Sequence, residues 1–247
     1  LSDVIERNAQ LHGERLAFVA DGQRISHREY ALRVERLAAG LAGVGFIAGD
    51  RVAVLAQNCL AYVDLYGAAA RLGLILVPLN WRLSAEEIAY VITDTAPKAI
   101  VAGAEYLPII EAARARFASV ERYFSLAAAT GAFAAFDDLA RAGAGTGAPA
   151  ADVSCNSGFV IIHTAAVGGR PRGALLSHAG LLAANLQLAG CWNLSAQDVH
   201  LAVLPLFHAS GLGLMLAVQQ AGGATVVLPR FDPQAVMQAV SAEKVSV

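Results

Sequence analysis

FVIIHTAAVGGRPRGALLS, residues 159–177, sets an apolar run, two adjacent glycines, an Arg-Pro-Arg triplet and a second apolar run side by side. Residues 159–164 read as a buried strand, and residues 174–177 as a short strand after the loop. A loop that leaves an apolar strand at its carboxyl end lies where open α/β sheets bind ligands. Gly168 and Gly169 allow main-chain N–H groups to converge on an anion. Arg170 and Arg172 each offer a planar fork to phosphate oxygens, and Pro171 stiffens the turn. The loop is not of the G-x-x-x-x-G-K-[ST] type. Taken alone, these residues leave two readings open: an anion-holding loop, or a solvated glycine-rich turn with two surface arginines.

Strand-like and helix-like segments alternate on either side. RLAFVADGQRISH (15–27) reads as a hairpin turning at Asp21-Gly22. Ser26 and Glu29, and again Ser84 and Glu87, have the spacing of a capping box at the start of a helix. DRVAVLA, LILVPL, KAIVAG and ERYFSL read as strands, with helices over 60–73 and 105–117 and Pro108 in the first turn of the latter. After residue 177 the alternation resumes: a helix from His178, strand DVHLAVLP, helix GLGLMLAVQQAGG, strand ATVVLP, and a helix opened by Asp232-Pro233. Apolar strands alternating with helices imply an α/β fold of mostly parallel sheets flanked by helices. Residues 1–140 are expected to form a first α/β subdomain, 141–158 a Gly/Ala-rich linker, and 159–247 a second α/β segment. The stretch GVGFIA (43–48) matches a dinucleotide fingerprint, but a helix precedes it and a strand follows, the reverse of what that site needs.

Composition sets the bounds. The charged share is 15%, against a usual share of about 25%, and the net charge is −2. Nothing in that balance favours nucleic acid or an anionic membrane. No stretch approaches the ~20 apolar residues of a membrane span. Cys59, Cys155 and Cys191 are odd in number and far apart, with no metal-ligand spacing, so they read as reduced thiols of a cytoplasmic protein. Asn193-Leu194-Ser195 is a glycosylation triplet of the kind that arises by chance. His163 and His178 read as structural or solvent-exposed, and Arg71, Arg82, Glu86 and Glu87 as helix-surface charge. Leu1 is not an initiator methionine, and KVSV (244–247) reads as the start of a strand. The chain is therefore expected to be part of a longer protein.

Residues 164–173, Thr-Ala-Ala-Val-Gly-Gly-Arg-Pro-Arg-Gly, resemble the phosphate loop of the adenylate-forming superfamily, Thr-Ser-Gly-Thr-Thr-Gly-x-Pro-Lys-Gly. LPLFHASGLG (204–213), GDRVAVLAQN (49–58), AAARLGLILVPLNWRLSAEEIAYVITDTAPKAIV (68–101) and LLSHAGLL (175–182) resemble further family segments in the family's order. The resemblance covers nearly the whole chain and is closest to the large N-terminal domain of acyl-CoA synthetases, here incomplete. It implies a ligase that joins a carboxylic acid to ATP as an acyl-adenylate, releases pyrophosphate, and passes the acyl group to coenzyme A. By position it implies that Thr164, Gly168, Gly169, Arg170, Arg172 and Gly173 contact the ATP phosphates. Phe207 and His208 would line the junction of nucleotide and acyl pockets, with His208 in the catalytic role, and Gly211 and Gly213 would open the helix along which the acyl chain lies.

The departures matter as much. The family's serine is Ala165, its first glycine Ala166, its threonines Val167 and Gly168, and its lysine Arg172. A hydrogen bond to a charged group contributes about 1.5–3 kcal/mol. Losing two or three weakens triphosphate binding by roughly two to four powers of ten as an upper range. The resemblance also implies motifs beyond this chain: a Glu that assists Mg²⁺, an Asp that holds the ribose, and a lysine on a mobile C-terminal domain. The chain alone is thus expected to be inactive, with no metal ligand of its own and its own C-terminal part as partner; a homodimer is compatible with the sequence. Two alternatives stay open: a non-catalytic homologue that binds nucleotide, acyl ligand or protein, and an unrelated dinucleotide-binding α/β domain.

Overall fold

Asp21 and Gly22 have φ of 51° and 73°, the two positive values that a tight hairpin turn needs. They join β1 (Leu16–Ala20) to β2 (Gln23–Ser26) after an opening helix α1 (Ser2–Leu11). The computed structural model describes residues 1–149, 151–164 and 170–247. The Ser26–Glu29 capping box forms: Glu29 N–H donates to Ser26 Oγ at 3.2 Å and Ser26 N–H to Glu29 Oε2 at 2.7 Å. It starts α2 (His27–Gly43). Then come β3 (Arg51–Leu55), α3 (Leu60–Leu72), β4 (Ile75–Pro78), α4 (Ala85–Thr95), β5 (Ala99–Ala102), α5 (Leu107–Ala113), β6 (Arg122–Ser125), β7 (Ala134–Ala135) and α6 (Asp137–Ala142). The remainder is β8 (Gly158–His163), β9 (Gly173–Ser177), α7 (His178–Trp192), β10 (Val199–Ala202), α8 (Ala209–Ala221), β11 (Ala224–Val227) and α9 (Pro233–Glu243).

Ser84 and Glu87 make the second capping box on α4, and Asp232 Oδ1 caps α9 through Ala235 N–H at 2.8 Å. The helix expected over 105–117 is α5 with a 3₁₀ turn at either end. The alternation over 127–142, which carries few large apolar residues, hides the short β7 and α6.

Two compact units interleave along the chain: residues 1–34, 57–67 and 178–247 form the first, and 35–56 and 68–177 the second. In the second unit the sheet order is β7-β6-β5-β3-β4-β8-β9, parallel throughout except for the antiparallel β8–β9 pair. Its central strands β3 and β5 are buried along nearly their whole length, as a sheet covered on both faces requires. Ile88, Ala89, Val91 and Ile92 of α4 pack into the same core as Leu55, Val77 and Ile100. The first unit has the order β10-β11-β1-β2, with the first three parallel and the hairpin closing the far side. Along the outer edge of β10, Ser246 N–H donates to Val199 O and Leu201 N–H to Val247 O, both at 2.9 Å. Ser246 and Val247 therefore run beside β10 without forming a regular strand, while Lys244, at φ 53°, caps α9.

Candidate functional site

The expected phosphate loop springs from the β8–β9 hairpin of the second unit. His163 pairs with Gly173, and Thr164 N–H donates to Arg172 O at 3.0 Å, closing the base. The Thr164 hydroxyl donates to the same carbonyl at 3.4 Å. Gly173 is required by crowding: a Cβ there would lie 2.7 Å from Ile161 Cγ2 and 3.2 Å from the His163 ring. Thr164, Arg170, Arg172 and Gly173 are exposed. Gly168 and Gly169 lie outside the described residues. Tyr90 OH donates to Pro171 O at 2.9 Å, and the Arg170 guanidinium carbon lies 5.4 Å from the centre of the Tyr90 ring. His163 Nε2 is 3.2 Å from Asp94 Oδ2.

Phe207, His208, Gly211 and Gly213 belong to the first unit, at the turn from β10 into α8. His208 is the N-cap of α8: its backbone is extended, and its Nδ1 accepts from Ser210 N–H at 3.2 Å. The Ser210 hydroxyl sits 2.8 Å from the same nitrogen. An Nδ1 that accepts a main-chain N–H carries no proton, so neutral His208 is the Nε2–H tautomer. Its ring is exposed, and the group it offers is a donor rather than a base. Phe207 is buried beside it. A Cβ on Gly211 would lie 2.3 Å from Pro205 O, so only glycine lets the helix start fold so closely over the preceding turn. Gly213 is different, since a Cβ there meets nothing within 4 Å.

Two residues that sequence reasoning missed hold this turn. Asn58 is 3% exposed. Its Oδ1 accepts from Leu206 N–H at 2.9 Å, and its Nδ2 donates to Leu204 O at 3.0 Å, Leu228 O at 3.2 Å and Ala202 O at 3.4 Å. One amide thereby joins the ends of β10 and β11 to the segment that delivers Phe207 and His208. Tyr66, buried and stacked on Tyr62 with centroids 5.2 Å apart, donates its hydroxyl to Leu206 O at 2.8 Å. Asp21 at the hairpin turn accepts from Leu60 N–H at 3.0 Å and so caps α3 from a distance. The sequence signals for Asn58 were its place in GDRVAVLAQN and the polar Gln57-Asn58 pair after an apolar strand, and neither names a partner.

The thiol of Cys59, next to the clamp, is pushed up to about 12 by burial, which removes it as a nucleophile near neutral pH. Among the described residues, no group of three His, Cys, Asp or Glu side chains could hold a metal ion. None of their helices is long and apolar enough to cross a membrane.

Comparison with known proteins follows the same lines. The family model described as "AMP-binding enzyme" matches residues 5–247. Feruloyl-CoA synthase of an Amycolatopsis species is 31% identical over 97% of this chain and 46% of its own length. Indoleacetate–CoA ligase of Aromatoleum aromaticum is 31% identical over 100% of this chain and 48% of its own. A solved chain from Rhodopseudomonas palustris, described as a long-chain-fatty-acid CoA ligase, is 47% identical with a TM-score of 0.94, over 99% of this chain and 61% of that one. The chain thus spans about half the length of the curated relatives it matches. The chain belongs to the family of AMP-binding enzymes.

Proposed function

We propose that the protein carrying this chain is an AMP-forming acid–thiol ligase of the acyl-CoA synthetase kind, acting in the cytoplasm. A carboxylate oxygen attacks the α-phosphorus of ATP, the bond to the β-phosphate oxygen breaks, and pyrophosphate leaves. The thiolate of coenzyme A then attacks the acyl carbon, and AMP departs. The observation that carries this reading is a cationic hairpin at a strand's carboxyl end in a chain of this family, with Arg170 and Arg172 exposed there. Two guanidinium groups and a glycine held against the hairpin base suit a polyphosphate anion. His208, as an Nε2–H donor, would bind a carboxylate or adenylate oxygen beside Phe207, and the start of α8 at Gly211 and Gly213 would flank the acyl chain. The Mg²⁺ that accompanies ATP would draw its protein ligand from outside this chain.

Acid-dependent ATP–pyrophosphate exchange by the full-length protein, over a panel of aromatic, medium-chain and long-chain acids, tests the proposal. Exchange with at least one acid is expected; a folded protein that exchanges with none refutes it. A second reading, a homologue that binds but does not catalyse, draws on the loop's Ala165, Val167 and Gly168 in place of hydroxyl-bearing residues. It predicts calorimetric binding of an acyl-adenylate analogue without turnover.

A further inference from the structure

We propose that α4 anchors the cationic hairpin, with Tyr90 and Asp94 acting as positioning residues for Arg170 and the segment that follows it. This rests on the reading of the hairpin as the ATP-phosphate site. Residues four apart on a helix share one face. Tyr90 and Asp94 use that face to hold both arms of the hairpin: Asp94 meets His163 at the end of β8, and Tyr90 meets Arg170 and Pro171 ahead of β9. The platform is held at its start and along its inner face. Its N-terminus is closed by a capping box, and its opposite face is buried in the second unit's core.

Each contact constrains a different atom. The Tyr90 hydroxyl donates to the carbonyl of Pro171, whose ring already fixes φ, so the turn is pinned at its stiffest residue. The Tyr90 ring lies beneath the Arg170 guanidinium. A cation–π contact at that distance uses none of the N–H donors, so the guanidinium can still offer them to a phosphate. His163 has a side chain only 9% exposed and is tied to Asp94, and its ring lies 3.2 Å from where a Cβ on Gly173 would be. A loop with few hydroxyls of its own thus has its cationic arm set by a neighbouring helix. That lowers the ordering cost of binding an anion.

The test compares wild type, Tyr90→Phe, Tyr90→Leu and Asp94→Asn in the full-length protein. Calorimetry gives Kd for ATP, exchange kinetics give KM for the acid, and a thermal melt checks folding. Tyr90→Phe loses one hydrogen bond and keeps the ring, so Kd for ATP should rise about threefold. Tyr90→Leu loses both contacts, so the rise should be about tenfold. Asp94→Asn keeps an acceptor for His163 and should fall between wild type and Tyr90→Phe. KM for the acid and the melting temperature should hold in all three. Unchanged ATP affinity in Tyr90→Leu overturns the proposal, as does a parallel weakening of ATP and acid with a lowered melt, which marks a merely structural role. Wild type that binds ATP but exchanges with no acid sinks the ligase reading alone, because the Kd comparison still decides the anchor. Wild type that does not bind ATP sinks both.

Discussion

Replacing Asn58 with leucine should loosen the turn that carries His208. Leucine has asparagine's branching and number of side-chain heavy atoms but a larger volume, so it opens no cavity, and any overpacking adds to the polar loss. The polar loss is a lower bound. Leu206 N–H, which donates to Asn58 Oδ1 in a buried site, is left unpaired at a cost of about 1–3 kcal/mol. Leu204 O and Leu228 O lose Nδ2 at half-buried positions where water can enter, about 0.5 kcal/mol each. Ala202 O also accepts from Leu228 N–H, so its loss is minor. The total is about 3 kcal/mol, which corresponds to roughly hundredfold faster exchange of the Leu206 amide if local opening controls it. Hydrogen exchange read on a peptide covering 203–208 measures this directly. Asn58→Asp gives a sign check. A carboxylate beside three carbonyl oxygens has its pKa raised, so that variant should be more stable at low pH and lose stability as pH rises through the raised value. Leu206 exchange within about threefold of wild type in Asn58→Leu would refute the clamp, since that is under 1 kcal/mol.

Gly211→Ala should destabilise the protein by at least about 2 kcal/mol, because its Cβ would lie 2.3 Å from Pro205 O, whereas Gly213→Ala should be neutral or stabilising by up to about 1 kcal/mol; urea unfolding of the pair separates the two. His208→Asn keeps a side-chain oxygen to cap α8 but lacks the reach of Nε2, so its melting temperature should stay near wild type while acid-dependent exchange falls about 10- to 100-fold. Burial lowers the buried His27 from 6.5 to about 4, so the fold favours its neutral form. The unfolded chain therefore binds the extra proton between those values, and stability present above pH 6.5 should drain as pH falls toward 4. His27→Gln should flatten that slope in a series of thermal melts.

Local signals were the most legible. The Asp21-Gly22 turn, the Ser26–Glu29 and Ser84–Glu87 boxes and the Asp232 cap each depend on residues within three positions of one another, so spacing alone identifies them. The alternation of apolar strands and helices likewise carried the parallel sheets. The interleaving of the two units was hidden, because strand order depends on pairings such as Leu76 with Val160 that no local pattern encodes. The same limit hid the site's supports. Asn58 reaches Leu206 across 148 positions, and Tyr90 reaches Pro171 across 81. His208 stood out through the segment around it, but its tautomer became readable only once Ser210 N–H was seen to point at Nδ1.

Oxygen transfer tests the central claim most directly. An accepted acid labelled with ¹⁸O in both carboxylate oxygens is incubated with the full-length protein, ATP and coenzyme A, and the nucleotide product is weighed by mass spectrometry. Attack of the carboxylate on the α-phosphorus predicts AMP carrying one ¹⁸O, with pyrophosphate unlabelled. Label recovered in orthophosphate with ADP as the nucleotide product, or AMP without label, would contradict the account.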